Sequence, residues 1–265
     1  MEVHTNKMTL LTKKFVAFDL DGTLAESKQH LEPFMSLLLC KLALHKKVVI
    51  ISGGSINQFQ KQFLPYLNPD PIDFDTVMNN LFLLPTSGSR RYEFDKIKKD
   101  WEMTDMEVFP PEEKAKVMKE LEKIVTAGEY GVGSITEGDD VIEDRITQIS
   151  MSALGQNAPI DKKKIWDPDQ EKRKKIKSDL EARLPGVNII IGGTTTLDFL
   201  PAGFNKAKGL IRLLDKEDST INDMIFVGDA IFPGGNDYSA LEAGIESVKV
   251  SGPSETAELI KGWIV

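Results

Sequence analysis

The chain has 265 residues, of which 41% are hydrophobic and 28% charged, and its formal net charge is -8. This is the composition of an ordinary soluble globular protein, with enough chain for one domain carrying an insertion or for two domains. With no cationic surplus to neutralise a phosphate backbone, a nucleic acid is not the expected partner, although a small phosphorylated substrate needs only a locally positive pocket.

The single cysteine, Cys40, excludes an internal disulfide and favours a reducing compartment. Its setting, L-L-L-C-K-L-A-L, reads as a buried helical face. Met1 to Lys14 holds no apolar run of signal-peptide length, and nothing in the chain approaches the roughly 20 apolar residues of a membrane span. A cytoplasmic protein with no membrane partner is therefore expected.

Phe15 to Leu24 reads F-V-A-F-D-L-D-G-T-L, a buried strand that delivers two carboxylates at its C-terminal edge. Side chains at i and i+2 share one face of a strand, so Asp19 and Asp21 point the same way. Two carboxylates that close repel unless a cation lies between them or one holds a proton. A helical pattern follows over Leu31 to His45, then a buried strand, Val48 to Ile51, that ends in Ser52-Gly53-Gly54 and opens a helix near Ser55 or Ile56. Ser52 at such a turn suits a phosphate oxygen, and equally well a plain N-cap. Asp75 to Pro85 supplies a further strand pair, or a strand and turn.

From residue 89 to about 140 the chain is highly charged, with one amphipathic helix, Pro111 to Thr126, opened by Pro-Pro-Glu-Glu. V-I-E-D-R and I-T-Q-I-S-M-S-A-L alternate as strands, a Lys- and Arg-rich helix is predicted over Asp167 to Leu184, and strands follow over Val187 to Ile191 and Thr195 to Leu200. Residues 86 to 200 thus read as an inserted α+β cap. The earlier rhythm returns with a helix from Phe204-Asn205-Lys206 to Lys216, a buried strand over Met224 to Val227 ending in Gly228-Asp229, a short strand over Ser247 to Val250 and a helix from Pro253. The expected architecture is a doubly wound parallel α/β core, 1 to 85 plus 201 to 265, interrupted by the cap.

Asp19, Asp21, Ser52 and Asp229 all follow apolar strand runs, and Lys206 lies at a helix start, so a parallel sheet gathers them at one crevice. The chemistry they permit is phosphoryl transfer: a carboxylate nucleophile, a cation between anions, a lysine for the equatorial charge, and a hydroxyl with backbone N–H groups for the phosphate. Asp229, Asp19 and the Asp21 main-chain carbonyl are hard oxygen donors of the kind Mg²⁺ takes, with Asn236 and Asp237 as water-mediated partners behind them. His4, His30 and His45 lie outside these motifs and carry no expected chemistry, and Trp101, Trp166 and Trp263 read as packing.

At this point the sequence resembles the haloacid dehalogenase superfamily. D-L-D-G-T matches its first motif, S-G its second, the lysine of G-F-N-K its third and G-D followed six residues later by N-D its fourth. The resemblance implies a core of Rossmann-like topology, Asp19 as a nucleophile that forms an aspartyl-phosphate, Asp21 as general acid and base, and Lys206 as charge clamp. Ser52 and Gly53 would hold the phosphate and Asp229 the Mg²⁺. An aspartate rather than a threonine two positions after the nucleophile favours phosphatase or mutase chemistry over the ATPase branch.

The cap's position between the second and third motifs, with I-E-D-R at 142 to 145, I-G-G-T-T-T-L-D-F-L-P-A-G-F-N-K at 191 to 206 and G-D-A-I-F-P-G-G-N-D at 228 to 237, is similar to the eukaryotic-type phosphomannomutases. By that likeness Arg145, Thr196 and Asp198 fall where the family's cap meets the sugar phosphate and sugar hydroxyls. Arg145 also suits a structural ion pair with Glu143 or Asp144. The chain departs from the family in having Lys28, Gln156 and a lysine near 163 where the mutases carry arginines that grip a second phosphate. Lysine loses the bidentate fork and glutamine the charge. The reading is therefore a Mg²⁺-dependent sugar-phosphate phosphatase, with a phosphomannomutase as the alternative. Pairing of cap surfaces into a homodimer stays open. The Lys162-Lys163-Lys164 and Lys172-Arg173-Lys174-Lys175 runs are expected to be solvated faces, with one lysine reaching a distal phosphate as the minority reading.

Overall fold

A computed structural model describes residues 12 to 264, so His4 and the first residues of the N-terminal segment lie outside what is described. The described residues divide into two compact units, one formed by 12–106 and 206–264 and the other by 107–205.

The first unit is built on a seven-stranded sheet. Its strands are β1 (Phe15–Asp19), β2 (Lys47–Ile51), β3 (Leu81–Leu84), β4 (Arg90–Asp95), β5 (Asp100–Met106), β10 (Met224–Gly228) and β11 (Glu246–Lys249), in the order β11-β10-β1-β2-β3-β4-β5. From β11 to β3 the pairing is parallel, and β4 and β5 add as antiparallel strands. Parallel strands need crossovers, supplied by α1 (Pro33–Ala43), α2 (Ile56–Gln62), α3 (Phe74–Asn79), α7 (Lys206–Lys216) and α8 (Tyr238–Glu242), while α9 (Pro253–Ile264) follows the last strand.

Both faces of this sheet are covered, which is why β1 and β10 read as unbroken apolar runs. Val16, Phe18, Val48, Ile50, Ile225 and Val227 pack on one side with Leu39 of α1 and Ile260 of α9. Phe15, Ala17, Val49, Ile51 and Phe226 pack on the other with Leu210, Leu213 and Leu214 of α7. Each of the larger of these side chains contributes about 1.5–3 kcal/mol by leaving water. Cys40 is buried among them.

Three local expectations change. Asp75 to Pro85 is a helix and a strand rather than a strand pair or a strand and turn, because Val77 and Met78 turn inward on α3 before Leu81 enters the sheet, so the strand is found and the helix replaces its partner. Residues 86 to 106 stay with the first unit rather than the second, because β4 and β5 extend its sheet. Arg91 of β4 is buried there, paired with Glu217 and lying over the Phe82 ring. The helix expected over Asp167 to Leu184 begins at Glu171, because Asp167 has a non-helical backbone (φ −152°, ψ 65°) and uses its carboxylate to accept from the N–H groups of Lys172 and Arg173.

The second unit is a four-stranded antiparallel sheet of β6 (Ile142–Asp144), β7 (Ile149–Ser152), β8 (Asn188–Gly192) and β9 (Thr196–Leu200) in the order β6-β7-β9-β8. With it go α4 (Pro111–Ala127), α5 (Ile160–Trp166) and α6 (Glu171–Arg183). One sheet face carries the apolar layer: Ile149, Met151, Leu197, Phe199 and Ile189 pack with Val117, Leu121 and Ile124 of α4 and with Ile176 and Leu180 of α6. The register sets Glu143, Ser150, Asp198 and Ile190 abreast across the strands, so they share the other face. No helix among the described residues is long and apolar enough to cross a membrane.

Candidate active site

β1 and β10 are hydrogen-bonded neighbours running in the same direction, so Asp19 at the end of one and Asp229 just past the other emerge side by side. Asp237, one residue before α8, comes to the same place. Oxygens of Asp19, Asp229 and Asp237 all lie within 4.8 Å of one another. Asp19 is 4% exposed and Asp237 fully buried. Into this cluster α7 inserts the ammonium of Lys206, itself 1% exposed, which donates to Asp19 Oδ1 and, at 2.6 Å, to Asp237 Oδ1.

The electrostatics follow from burial and pairing. Burial alone would lower the Lys206 ammonium, but the Asp19 and Asp237 carboxylates outweigh it and hold the group above its ordinary value, so it stays charged. Burial pushes the Asp19 carboxyl well up, opposed by Lys206 and reinforced by Asp237. Asp229 is raised by burial and then by Asp237. Three carboxylates therefore face one ammonium, a local surplus of negative charge that a divalent cation would neutralise, bringing the raised carboxyls back down. All the donors are hard oxygens, so the set fits Mg²⁺. Gly22 (φ +84°) closes round it: a Cβ there would stand 2.7 Å from Asp229 Oδ2. Thr23 fixes Asp229 from both sides, its hydroxyl accepting from the Asp229 N–H at 3.0 Å and donating to Oδ1 at 3.3 Å.

Asp21 stands outside that carboxylate trio. Its Oδ2 accepts from Gln58 Nε2 at 2.5 Å, and its Oδ1 from Gln62 Nε2 at 3.1 Å and from the Lys28 N–H at 2.7 Å. Ser52, 2% exposed, follows β2 directly, and its hydroxyl accepts from the Gly54 N–H at 3.0 Å across Gly53. Asn236 is half-buried in the loop that leads to α8.

Asp237 thus differs from its expected place behind the ligands: it is in the carboxylate cluster and in direct contact with Lys206, its Oδ2 accepting from the Ala230 N–H at 3.1 Å. Thr23, Gln58 and Gln62 were not legible as site residues. The signal for the glutamines is their i, i+4 spacing on a helix that leaves the Ser-Gly-Gly turn, which puts both amides on one helix face.

Within the second unit, Arg145 donates to Glu143 Oε2 from Nε at 2.8 Å and from Nη2 at 2.7 Å, which is the ion-pair arrangement. Its Nη1 also lies 3.9 Å from Asp198 Oδ1. Burial pushes the Asp198 carboxyl up against the pull of Arg145. Thr196 opens β9, opposite Ser152 and Gly192.

The lysine runs are not wholly solvated faces. Lys163 is 3% exposed and donates to the Gln156 carbonyl at 2.8 Å. Arg173 is 2% exposed, with Nε on Asp167 at 2.7 Å and Nη1 on the carbonyls of Gly192 and Gly193. Both are drawn inward because buried carbonyls and a buried carboxylate need donors. Gln156 is turned inward as well, its amide donating to the carbonyls of Val141 at 3.3 Å and Ser150 at 3.4 Å.

Comparison with known proteins places similar chains alongside this one. The family model for eukaryotic phosphomannomutase matches residues 135–264. A phosphomannomutase of Encephalitozoon cuniculi is 24% identical over 253 residues, covering 92% of this chain and 91% of that one. Phosphomannomutase 2 of Dictyostelium discoideum is 24% identical over 258 residues, covering 93% and 94%. Among solved structures, a haloacid dehalogenase-like hydrolase from Bacteroides thetaiotaomicron shares the fold with a TM-score of 0.59 at 19% identity, covering 94% of this chain and 98% of its own. An IMP-nucleotidase of Plasmodium falciparum does so at 0.67 and 15% identity, covering 96% and 72%. The relatives' names favour the mutase alternative over the phosphatase reading. With these relatives along its length, and with its core strands, cap and motif order, the chain is similar to the phosphomannomutases and shares the fold of haloacid dehalogenase-like proteins.

Proposed function

We propose that the chain is a Mg²⁺-dependent phosphomannomutase-type enzyme that moves a phosphoryl group between O1 and O6 of a hexose by way of a covalent aspartyl-phosphate on Asp19. The observation that carries the chemistry is Lys206, an ammonium seated between the buried carboxylates of Asp19 and Asp237. A binding protein would not need a nucleophile paired with a buried cation and a further carboxylate, Asp21, two residues on. The hexose assignment draws on relatives named phosphomannomutase that match over nine-tenths of the chain.

In this reading an Asp19 oxygen attacks phosphorus and the bond from phosphorus to the sugar oxygen breaks, while Asp21 gives that oxygen its proton. Asp21 then takes a proton from the next attacking hydroxyl. Lys206 balances the charge that gathers on the phosphoryl oxygens, and Ser52 with the Gly53 N–H orients them. Asp19, Asp229 and the main-chain carbonyl of Asp21 are the proposed holders of Mg²⁺, which when bound supplies charge neutralisation as two anions approach. Asn236 orients the loop behind them. Arg145, Thr196 and Asp198 are the proposed polar contacts of the cap with the sugar and its distal phosphate.

A hydrolase is the second reading, favoured by three residues. Gln156 spends its amide on the Val141 and Ser150 carbonyls, Lys163 is buried against Gln156, and Lys28 offers no bidentate fork. Incubation with mannose 1-phosphate, with and without a hexose bisphosphate activator, separates the readings. Mannose 6-phosphate is the expected product. Free phosphate alone would move the assignment to the hydrolase, and silence across a broad sugar-phosphate panel would remove both.

A further inference from the structure

We infer that Gln58 and Gln62 are positioning residues for the proton transfer carried by Asp21, an inference that rests on the proposed function. Both stand on α2, four residues apart, and both amides turn toward one carboxylate. Gln58 Nε2 donates to Asp21 Oδ2 at 2.5 Å and to Gln62 Oε1 at 2.7 Å, and Gln62 Nε2 donates to Asp21 Oδ1 at 3.1 Å. The three side chains thus form a closed ring of hydrogen bonds in which each amide fixes the orientation of the other.

Gln62 is 5% exposed, beside Phe59 and Phe63, which are both fully buried. Burying an amide costs free energy unless it is hydrogen-bonded, and what satisfies this one is Asp21. A carboxylate offers about four lone-pair sites. Gln58, Gln62 and the Lys28 N–H occupy three, leaving one directed position for the proton that Asp21 passes to the sugar oxygen and later recovers. Without the amides the carboxylate would rotate about its own bond and meet that oxygen in a productive pose only part of the time.

The Ser-Gly-Gly turn is cut to fit this arrangement. A Cβ on Gly54 would stand 1.6 Å from Gln58 Oε1 and 2.6 Å from its Cδ, so the second glycine is what lets the Gln58 amide lie down toward Asp21. The clashing atoms are the far end of a flexible side chain, so Gly54→Ala can keep the fold and swing Gln58 off the carboxylate.

The step assigned to Asp21 sets the test. A sugar alkoxide needs a proton as it leaves, whereas 4-nitrophenolate departs without one. Gln58→Met and Gln62→Met keep the side-chain length and remove the donors, and Gly54→Ala displaces Gln58 by an independent route. Melting curves verify that each variant is folded, and kcat and KM are then measured on mannose 1-phosphate and on 4-nitrophenyl phosphate. The ratio of kcat/KM on the sugar to kcat/KM on the aryl phosphate, which reports the first phosphoryl transfer alone, should fall about 10- to 100-fold, part of the 10²–10⁴ that general acid catalysis is worth. An equal loss on both substrates, or no loss on either, overturns the positioning role while leaving the proposed function standing. A wild type inert toward both overturns the function, and this inference with it.

Discussion

The two units solve the burial problem in opposite ways. In the first, the sheet is apolar on both faces and the charged cluster of the candidate site gathers at the strand ends, held by partners remote in sequence: Lys206 meets Asp19 across 187 positions and Thr23 meets Asp229 across 206. In the second, one face of the sheet is apolar and the other polar, and the charged groups there are satisfied by neighbours, as Arg145 is by Glu143 two residues away. The first unit therefore cannot lose a site residue without disturbing a buried charge balance, whereas the second can lose apolar packing without touching its polar face. Chemistry and stability are coupled in one and separable in the other.

The sharpest test of that coupling is Asp19→Asn, which should lower turnover by roughly 10⁴-fold or more in steady-state assays. Lys206 keeps Asp237 and one of the mutually repelling buried carboxylates is gone, so the melting temperature should rise. Substantial residual turnover would remove Asp19 from the nucleophile's role. Lys206→Met should cost about 10²–10³ in kcat and, because two buried carboxylates then lack their cation, about 3–5 kcal/mol in denaturant unfolding. A variant of unchanged stability would show the charge cluster to be more solvated than its burial indicates.

Leu180→Ala, in the apolar layer of the second unit, should cost about 2–5 kcal/mol while leaving kcat per folded molecule alone. A proportionate fall in kcat would break the separation. The smallest effect concerns Asp167. Burial raises its carboxyl, but hydrogen bonds from the Arg173 guanidinium and from the Lys172 and Arg173 N–H groups outweigh this and hold it below its ordinary value. A depressed folded value means that this stabilisation is complete above the unfolded value of about 3.9 and is lost as pH falls through the folded one. The melting temperature should therefore be insensitive to Asp167→Asn in its pH dependence near neutrality, and the variant should lose part of the wild-type decline only below about pH 4.

What was legible in the sequence follows the same division. Runs such as F-V-A-F-D and M-I-F-V-G announce strands buried on both faces, and their terminal polar residues announced the crevice. β4 and β5 hid themselves, because a sheet margin with one wet face reads R-R-Y-E-F-D and D-W-E-M-T-D-M, which composition alone files as a charged loop. Arg91, Lys163 and Arg173 looked solvated for the same reason: a cation's burial is decided by a partner that local periodicity does not encode, here Glu217, the Gln156 carbonyl and Asp167. Gln58 and Gln62 carry no motif, and only the folded position of Asp21 gives their spacing a meaning.

The last strand before the chain leaves the first unit and the helix on which it returns are fastened to each other. Asp105, near the end of β5, accepts from Arg212 Nη2 at 2.8 Å and pairs with Lys216 at 2.9 Å, both on α7. Departure and re-entry points are thus stapled inside the core, so the intervening segment works as a splice into an already closed frame. Substitutions or length changes in that segment can accumulate without reaching the frame, and a lineage could exchange its substrate preference there while Lys206, carried on the stapled helix, keeps its bearing on Asp19.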